Sequence, residues 1–162
     1  MLNLMSSAKK IYTRHQALLK AQKYCAYQER CQKEVRNDLY KLGVQRDDIE
    51  GIISDLISSN FLNEERFSRA FARGKFKNND WGWIKIEMEL KQRNISAYCI
   101  KKAKEEIDHK LYKETIVHLA KKKLKEVKGE SEYNQKGKII RYIVGKGFES
   151  DLVIDMVEDL FP

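Results

Sequence analysis

The sequence predicts an all-α protein built from three tandem three-helix repeats in an elongated, curved stack. Apolar residues recur at spacings of three and four, as on one face of a helix, and do not alternate as in a strand. The same apolar pattern returns after about fifty residues, which is typical of helical repeat proteins. The only proline is the last residue, Pro162, so no proline ring interrupts a helix.

The repeat is defined by six apolar positions and one turn position in each unit. The turn residues are Gly43, Asn94 and Gly147, and glycine and asparagine best tolerate the left-handed backbone at a helix end. The aligned apolar positions are Val35, Leu39, Val44, Ile49, Ile52 and Leu56, then Ile86, Leu90, Ile95, Ile100, Ala103 and Ile107, then Ile139, Ile143, Phe148, Val153, Met156 and Leu160.

These registers divide the chain into a tail and three repeats. We assign residues 1–13 to an N-terminal tail, 14–60 to the first repeat, 61–108 to the second and 109–162 to the third. No long polar linker separates the repeats, so each is expected to contact its neighbour.

Capping residues mark the helices of the first two repeats. Thr13 has capping-box spacing before a first helix from about Arg14 to Gln28. Asn63 is expected to cap the first helix of the second repeat. Asp80 is expected to cap the helix that follows, and Ser96 the third.

The third repeat is expected to open with a helix from about His109 to Val127. A polar loop over residues 128–134 follows it. Ser150 is then expected to cap a final helix that ends at Leu160.

Composition restricts the class of protein. The formal net charge is +8, which favours a polyanionic partner, either nucleic acid or an assembly that carries it. The alternative is a basic protein whose charge serves solubility alone. Cys25, Cys31 and Cys99 match no zinc spacing, so we expect reduced thiols in a cytoplasmic protein. The first ten residues lack the apolar run of a signal peptide, and no stretch is long enough to span a membrane.

No residue pattern indicates an enzyme, a metal or a cofactor. The three histidines are scattered, and His109 and His118 do not share a helical face. The triplet Gly145-Lys146-Gly147 follows no predicted strand, so a turn is favoured over a phosphate-binding loop. Asp47 and Asp48 suit the positive end of a helix better than a catalytic pair. We therefore expect a non-enzymatic monomer that works by binding.

The segment from Arg66 to Lys104 is rich in basic residues and contains both tryptophans. Such side chains pair with phosphates or with carboxylates of a partner. The alternative is a solvated helix face with the tryptophans packed in the core. The candidate partner-binding or nucleic-acid-binding residues are Arg66, Arg69, Arg73, Lys75, Lys77, Trp81, Trp83, Lys85, Lys91 and Arg93.

Two stretches resemble the RecX family. One runs from Tyr24 to Cys31 and continues through Glu34, Val35 and Leu39 to Gly43. The other runs from Phe61 through Arg73-Gly74-Lys75 and Trp81-Gly82 to the Asn94-Ile95-Ser96 turn. The resemblance covers nearly the whole chain from about residue 14. Asn94 stands where a glycine is usual in the family, and Cys31 where a serine-like cap is common.

The resemblance implies a function. Members of this family regulate the RecA recombinase: they bind the RecA filament on DNA, lie in its helical groove and mainly inhibit its recombinase, ATPase and co-protease activities. The resemblance also places Arg66, Phe67, Arg73 and Trp81-Gly82 in the signature segment of the family's middle repeat. The alternative function is a direct DNA-binding helical module or a transcription-associated regulator, because short tri-helical units resemble helix-turn-helix elements in outline.

Overall fold

The computed structural model describes residues 11–161. This part of the chain contains nine α-helices and no strand, which confirms the all-α prediction. The first ten residues of the predicted tail lie outside it. The helices are α1 Arg14–Tyr27, α2 Gln32–Lys41, α3 Arg46–Ser58, α4 Glu64–Asn79, α5 Trp83–Gln92, α6 Ala97–Lys104, α7 His109–Glu126, α8 Glu132–Gly145 and α9 Ser150–Glu158.

The described residues form two compact units. The first unit reaches Phe67 and contains α1, α2 and α3. Its core is made by small residues of α1 and aliphatic residues of α2 and α3, namely Ala17, Ala21, Val35, Leu39, Ile49, Ile52 and Leu56. Burying one such aliphatic side chain contributes about 1.5–3 kcal/mol, so this face accounts for much of the unit's stability.

The second unit begins at Ser68 and contains most of α4 and all of α5 to α9. The aligned apolar positions behave alike in all three repeats. Every one is buried except Ile107, Met156 and Leu160, which are half-buried. In α9 the buried residue next to Met156 is Val157, the counterpart of Ile53 in the first repeat.

The three predicted turn residues all adopt the left-handed backbone. The φ angle is 79° at Gly43, 58° at Asn94 and 95° at Gly147. The amide after the turn bonds back to the helix, as from Val44 to the carbonyl of Leu39 at 3.1 Å. The same bond joins Ile95 to Leu90 at 3.2 Å, so asparagine serves here as glycine does elsewhere.

Several predicted caps are present. The Thr13 hydroxyl accepts from the amide of Gln16 at 3.2 Å, and the Gln16 side chain accepts from Thr13. The Asn63 side chain accepts from the Arg66 amide at 2.8 Å, and Ser96 accepts from Cys99 at 3.3 Å. These side chains satisfy helix amides that have no carbonyl partner within the helix.

The predicted cap at Asp80 is wrong. Asp80 has a φ of 53°, and the following amide, Trp81, bonds to the carbonyl of Lys75 at 3.2 Å. Asp80 therefore ends α4, whereas Gly82 is the N-cap of α5. An aspartate tolerates a left-handed turn as well as a cap position, and the sequence does not distinguish the two.

The first and last residues of helices in the third repeat also differ from those predicted. The polar loop is shorter, because Ser131 caps α8 by accepting from the amide of Asn134 at 3.4 Å. Ser150 is the first residue of α9, and Glu149 is its N-cap. Helix α9 ends at Glu158, two residues before the predicted end at Leu160.

The second and third repeats meet through a glycine contact. The Gly82 amide donates to the carbonyl of Lys146 at 2.9 Å, and the Ile84 amide donates to the carbonyl of Gly147 at 3.0 Å. A Cβ at Gly82 would overlap the backbone of Gly147 and Phe148. The start of α5 and the turn after α8 thus satisfy each other's backbone groups. Only glycine allows this approach.

We expect Gly82→Ala to destabilise the protein by about 3 kcal/mol, because the new methyl group must push two backbone segments apart. Gly74→Ala is the matched control. It lies in α4 with open space around its Cβ position and should stabilise by about 0.5–1 kcal/mol. Urea unfolding followed by far-ultraviolet circular dichroism measures both. Equal stabilities of the two variants would contradict the close approach.

Candidate partner-binding surface

Two lysine ammonium groups lie near the ring of Trp81, one from each of two neighbouring helices. The Nζ of Lys75, on α4, is 4.8 Å from the centre of the ring, and the Nζ of Lys85, on α5, is 4.3 Å away. Each such contact is worth about 0.5–1 kcal/mol at an exposed site. All three side chains are half-buried. The turn after α4 therefore holds an aromatic ring and two positive charges in a defined arrangement.

A third lysine comes from a distant part of the chain. The Nζ of Lys146 donates to the carbonyl of Asn79 at 3.2 Å, at the end of α4. We call Lys75, Trp81, Lys85 and Lys146 the Trp81 cluster. The candidate Lys77 is exposed on α4 nearby in sequence. Sequence reasoning placed Lys146 only in a turn, because nothing local signals that the Gly147 turn lies against Gly82.

Arg66, by contrast, is held by internal bonds. Its Nε is 2.5 Å from a carboxylate oxygen of Glu29. Its guanidinium also donates to the Asn60 side chain and to the carbonyls of Asn60 and Phe61, at 3.1 to 3.4 Å. A planar guanidinium with this many acceptors fixes the start of α4 within the first unit. This geometry indicates a structural role.

Arg69 and Arg73 share one carboxylate. The two guanidiniums donate to opposite oxygens of Glu106, at 2.6 and 2.8 Å. The hydrogen bonds from Arg73 and Arg69 hold the pKa of Glu106 below its ordinary value. Arg73 is 56% exposed and Arg69 28%, so Arg73 keeps more of its surface for a partner. Reversing their charges would disturb this bridge as well as any binding face.

Trp83 is a core residue, unlike Trp81. It is 6% exposed, and its amide donates to the hydroxyl of Tyr112 at 2.8 Å. That hydroxyl donates to a carboxylate oxygen of Glu149 at 2.6 Å. Burial, and then the bond to Glu149, raises the pKa of Tyr112. The phenol stays protonated and links the start of α5 to the start of α9.

The last two candidates lie on or next to α5. Lys91 is 64% exposed and pairs with Glu87 at 3.5 Å. Arg93 is 26% exposed, pairs with Glu89 at 2.6 Å, and has its guanidinium carbon 4.9 Å from the centre of the Phe71 ring. Lys91 is thus accessible, whereas Arg93 is partly enclosed by its neighbours.

Of the ten candidates, the structure brings Lys75, Trp81 and Lys85 together, and it adds Lys146, which was not among them.

Within residues 11–161 no group of histidine, cysteine or acidic side chains is arranged to hold a metal ion. The three cysteines all lie in the described residues, are buried and form no disulfide, and burial raises the pKa of Cys25 to about 11. In that same part of the chain, no helix combines the length and apolar character that crossing a bilayer demands.

Residues 11–161 contain nine helices in three capped groups, a glycine contact between the second and third repeats, and a basic aromatic cluster. These features define a tandem three-helix-domain protein. Three models of the RecX family match the chain in order: the first three-helix domain at residues 17–56, the second at 63–103 and the third at 112–155. The chain belongs to the RecX family.

Individual relatives support the same family assignment. A regulatory protein RecX of Clostridium botulinum is 30% identical over 130 residues, which cover 79% of this chain and 60% of that protein. The one from Streptococcus uberis is 32% identical over 137 residues, which cover 80% of this chain and 50% of that protein. This chain thus spans 50–60% of the length of these two curated relatives. The one from Prosthecochloris aestuarii is 27% identical over 144 residues, and 93% of it is covered.

A solved structure supports the same fold. The crystal structure of RecX from Lactobacillus salivarius matches with a TM-score of 0.80 and 27% identity. The match covers 91% of this chain and 96% of that one. The prediction of three tandem three-helix repeats is therefore confirmed.

The shared carboxylate of Glu106 makes stability depend on pH. A carboxyl group whose pKa is lower in the folded than in the unfolded state stabilises the fold above its unfolded-state pKa, near 4.3, and this stabilisation is lost as pH falls through the folded-state pKa. We expect Glu106→Gln to cost about 1 kcal/mol at neutral pH. Its difference from the parent protein should vanish in acid.

Urea unfolding from about pH 7 down to about pH 3 measures this effect. The control is Glu114→Gln, whose carboxylate is 58% exposed and 3.9 Å from Lys110. That change should cost less than about 0.5 kcal/mol at any pH. A pH-independent loss at Glu106 would mean that its charge is not what stabilises the fold.

Proposed function

We propose that this protein binds the RecA filament on DNA and modulates its recombinase, ATPase and co-protease activities, mainly by inhibition. The observation that carries the proposal is the match to all three RecX domains in their order along the chain. It acts as a non-enzymatic, cytoplasmic monomer without a cofactor. Its three repeats, 14–60, 61–108 and 109–162, occlude the helical groove of the filament.

The Trp81 cluster supports a polyanionic partner. Lys75 and Lys85 hold two ammonium groups near a half-buried ring, Lys146 adds a third at the nearby end of α4, and the chain as a whole carries a net charge of +8. Ion pairs and aromatic side chains on a rigid support give binding energy without the cost of ordering a loop. The turn that carries Trp81 is fixed on both sides, by α4 and by the glycine contact.

We expect the protein, titrated onto RecA filaments on single-stranded DNA, to reduce ATP hydrolysis and strand exchange at a stoichiometric ratio. Lys75→Glu with Lys85→Glu should weaken filament binding by about tenfold or more, because two attractive charges become repulsive. Circular dichroism should show unchanged helix content.

The charge-matched control is Lys121→Glu with Lys122→Glu, two exposed lysines on α7. This control changes the net charge by the same amount as the Lys75 and Lys85 variant, and it should weaken filament binding by less than about threefold. No inhibition by the parent protein at a stoichiometric ratio counts against RecA as the target. Equal losses in both double variants count against the Trp81 cluster as the contact.

A direct DNA-binding module is the second candidate function. The observation that favours it is the same cluster, since a base can stack on a tryptophan while lysines contact the phosphates on either side. Arg66, Arg69 and Arg93 contribute less to this function, because their guanidiniums already pair with carboxylates.

Salt dependence separates the two functions. If about six phosphates are neutralised, the logarithm of the affinity for bare DNA should fall with the logarithm of the salt concentration at a slope near −5. Fluorescence anisotropy of a labelled oligonucleotide measures it. Undetectable binding to bare DNA at low salt, together with intact filament binding, would eliminate the direct DNA-binding function.

A further inference from the structure

Two clefts adjoin each other on the second unit, on either side of Trp83 and Lys104. One has a volume of about 320 Å³ and lies between Ile107, Tyr112 and Leu152. The other has a volume of about 550 Å³ and lies along α5 and α6. The Nζ of Lys104 is 5.5 Å from the centre of the Trp83 ring, so this lysine marks the division between them. We call the two clefts together the Trp83 groove.

The floor of the Trp83 groove is apolar. Trp83, Ile95 and Ile100 are each 6% exposed, and they line it together with the half-buried Ile107 and Leu152. A separate apolar patch lies on the outer face of α5, beyond the Glu87–Lys91 pair that lines both it and the second cleft. There Ile84 and Met88, one helical turn apart, are 50% and 49% exposed. A cleft with an apolar floor and exposed apolar side chains nearby is typical of a protein-docking site.

The charges on the rim do not cancel. The two clefts are lined by three lysines, Lys91, Lys101 and Lys104, and by two carboxylates, Glu87 and Glu149. Glu87 pairs with Lys91 at 3.5 Å. Among the described residues no carboxylate forms a salt bridge with Lys101 or Lys104, which are both exposed. They lie three residues apart on α6 beside the apolar floor. The groove therefore presents an excess of positive charge next to buried aromatic and aliphatic side chains.

We propose that the Trp83 groove binds an acidic segment of a partner protein, with a large apolar side chain inserted beside Trp83 and flanking carboxylates on Lys101 and Lys104. The first cleft has room for one aromatic or branched side chain. A nucleic acid has no aliphatic side chain that could fill the apolar floor. The apolar floor therefore favours a peptide over DNA, and the charge excess favours an acidic peptide over a basic one.

This surface is separate from the Trp81 cluster, and the inference goes beyond the proposed function because it does not depend on RecA as the partner. The groove is tested with a library of random twelve-residue peptides displayed on phage and selected on the full-length protein. We expect selection to enrich peptides with an aromatic or leucine residue flanked by aspartate and glutamate. The most enriched peptide is then synthesised, along with a version in which serine replaces the apolar anchor.

Binding is followed by tryptophan fluorescence in a Trp81→Phe background, in which Trp83 is the remaining tryptophan. The anchored peptide should shift the Trp83 emission, and the serine version should bind at least about tenfold more weakly, since a buried aromatic anchor is lost. Lys101→Glu with Lys104→Glu should weaken the anchored peptide by about tenfold or more. Lys101→Gln with Lys104→Gln, a milder change at the end of α6, should weaken it in the same direction.

Lys121→Glu with Lys122→Glu is again the charge-matched control and should weaken the peptide by less than about threefold. Three results would overturn the inference: no acidic enrichment, equal affinity of the anchored and serine peptides, or displacement of the peptide by an equimolar oligothymidine. The last result would assign the groove to nucleic acid. A failure of RecA inhibition leaves this experiment unchanged, because no RecA is present.

Discussion

Two glycines that approach each other backbone to backbone fix the second and third repeats. Gly82 leaves room for the turn at Gly147, and the carbonyls of that turn accept from the first amides of α5. The carbonyl end of α8 therefore meets the amide end of α5, so the partial charges of the two helix dipoles attract. Close to this contact, the Lys146 ammonium donates to the carbonyl of Asn79 at the end of α4, and the Trp83 amide donates to the hydroxyl of Tyr112.

The basic side chains from Arg66 to Lys104 are of two kinds: some pair with carboxylates of the same chain, and others remain accessible. Arg66 and Arg69 pair with carboxylates outside α4, the helix that carries them, whereas Arg93 pairs with Glu89 one turn earlier in α5. Lys75 and Lys85 lie near the Trp81 ring, and Lys101 and Lys104 on α6 are exposed, whereas Lys102 pairs with Glu105. Guanidinium is weakly hydrated and planar, which suits internal bridges, whereas a strongly hydrated ammonium is more easily left exposed.

The sequence predicts what depends on local periodicity, and misses what depends on contacts between repeats. Apolar spacing and left-handed turns at Gly43 and Asn94 follow from the physics of one helix end, and the structure has them. The pairing of Arg69 with Glu106 and the meeting of Gly82 with Gly147 need the tertiary fold. Charge counting alone therefore does not distinguish arginines that pair within the chain from lysines that stay accessible, and it does not place Lys146 at the end of α4.

The Tyr112 hydroxyl limits how the protein can be divided. It accepts from the backbone of the second repeat and donates to Glu149 in the third, with its ring 5.7 Å from Phe76 and 4.8 Å from Phe148. A chain cut after the second repeat would leave the Trp83 amide without this acceptor and uncover Phe76. Grafting or shuffling of modules must therefore move the second and third repeats as one inseparable cassette.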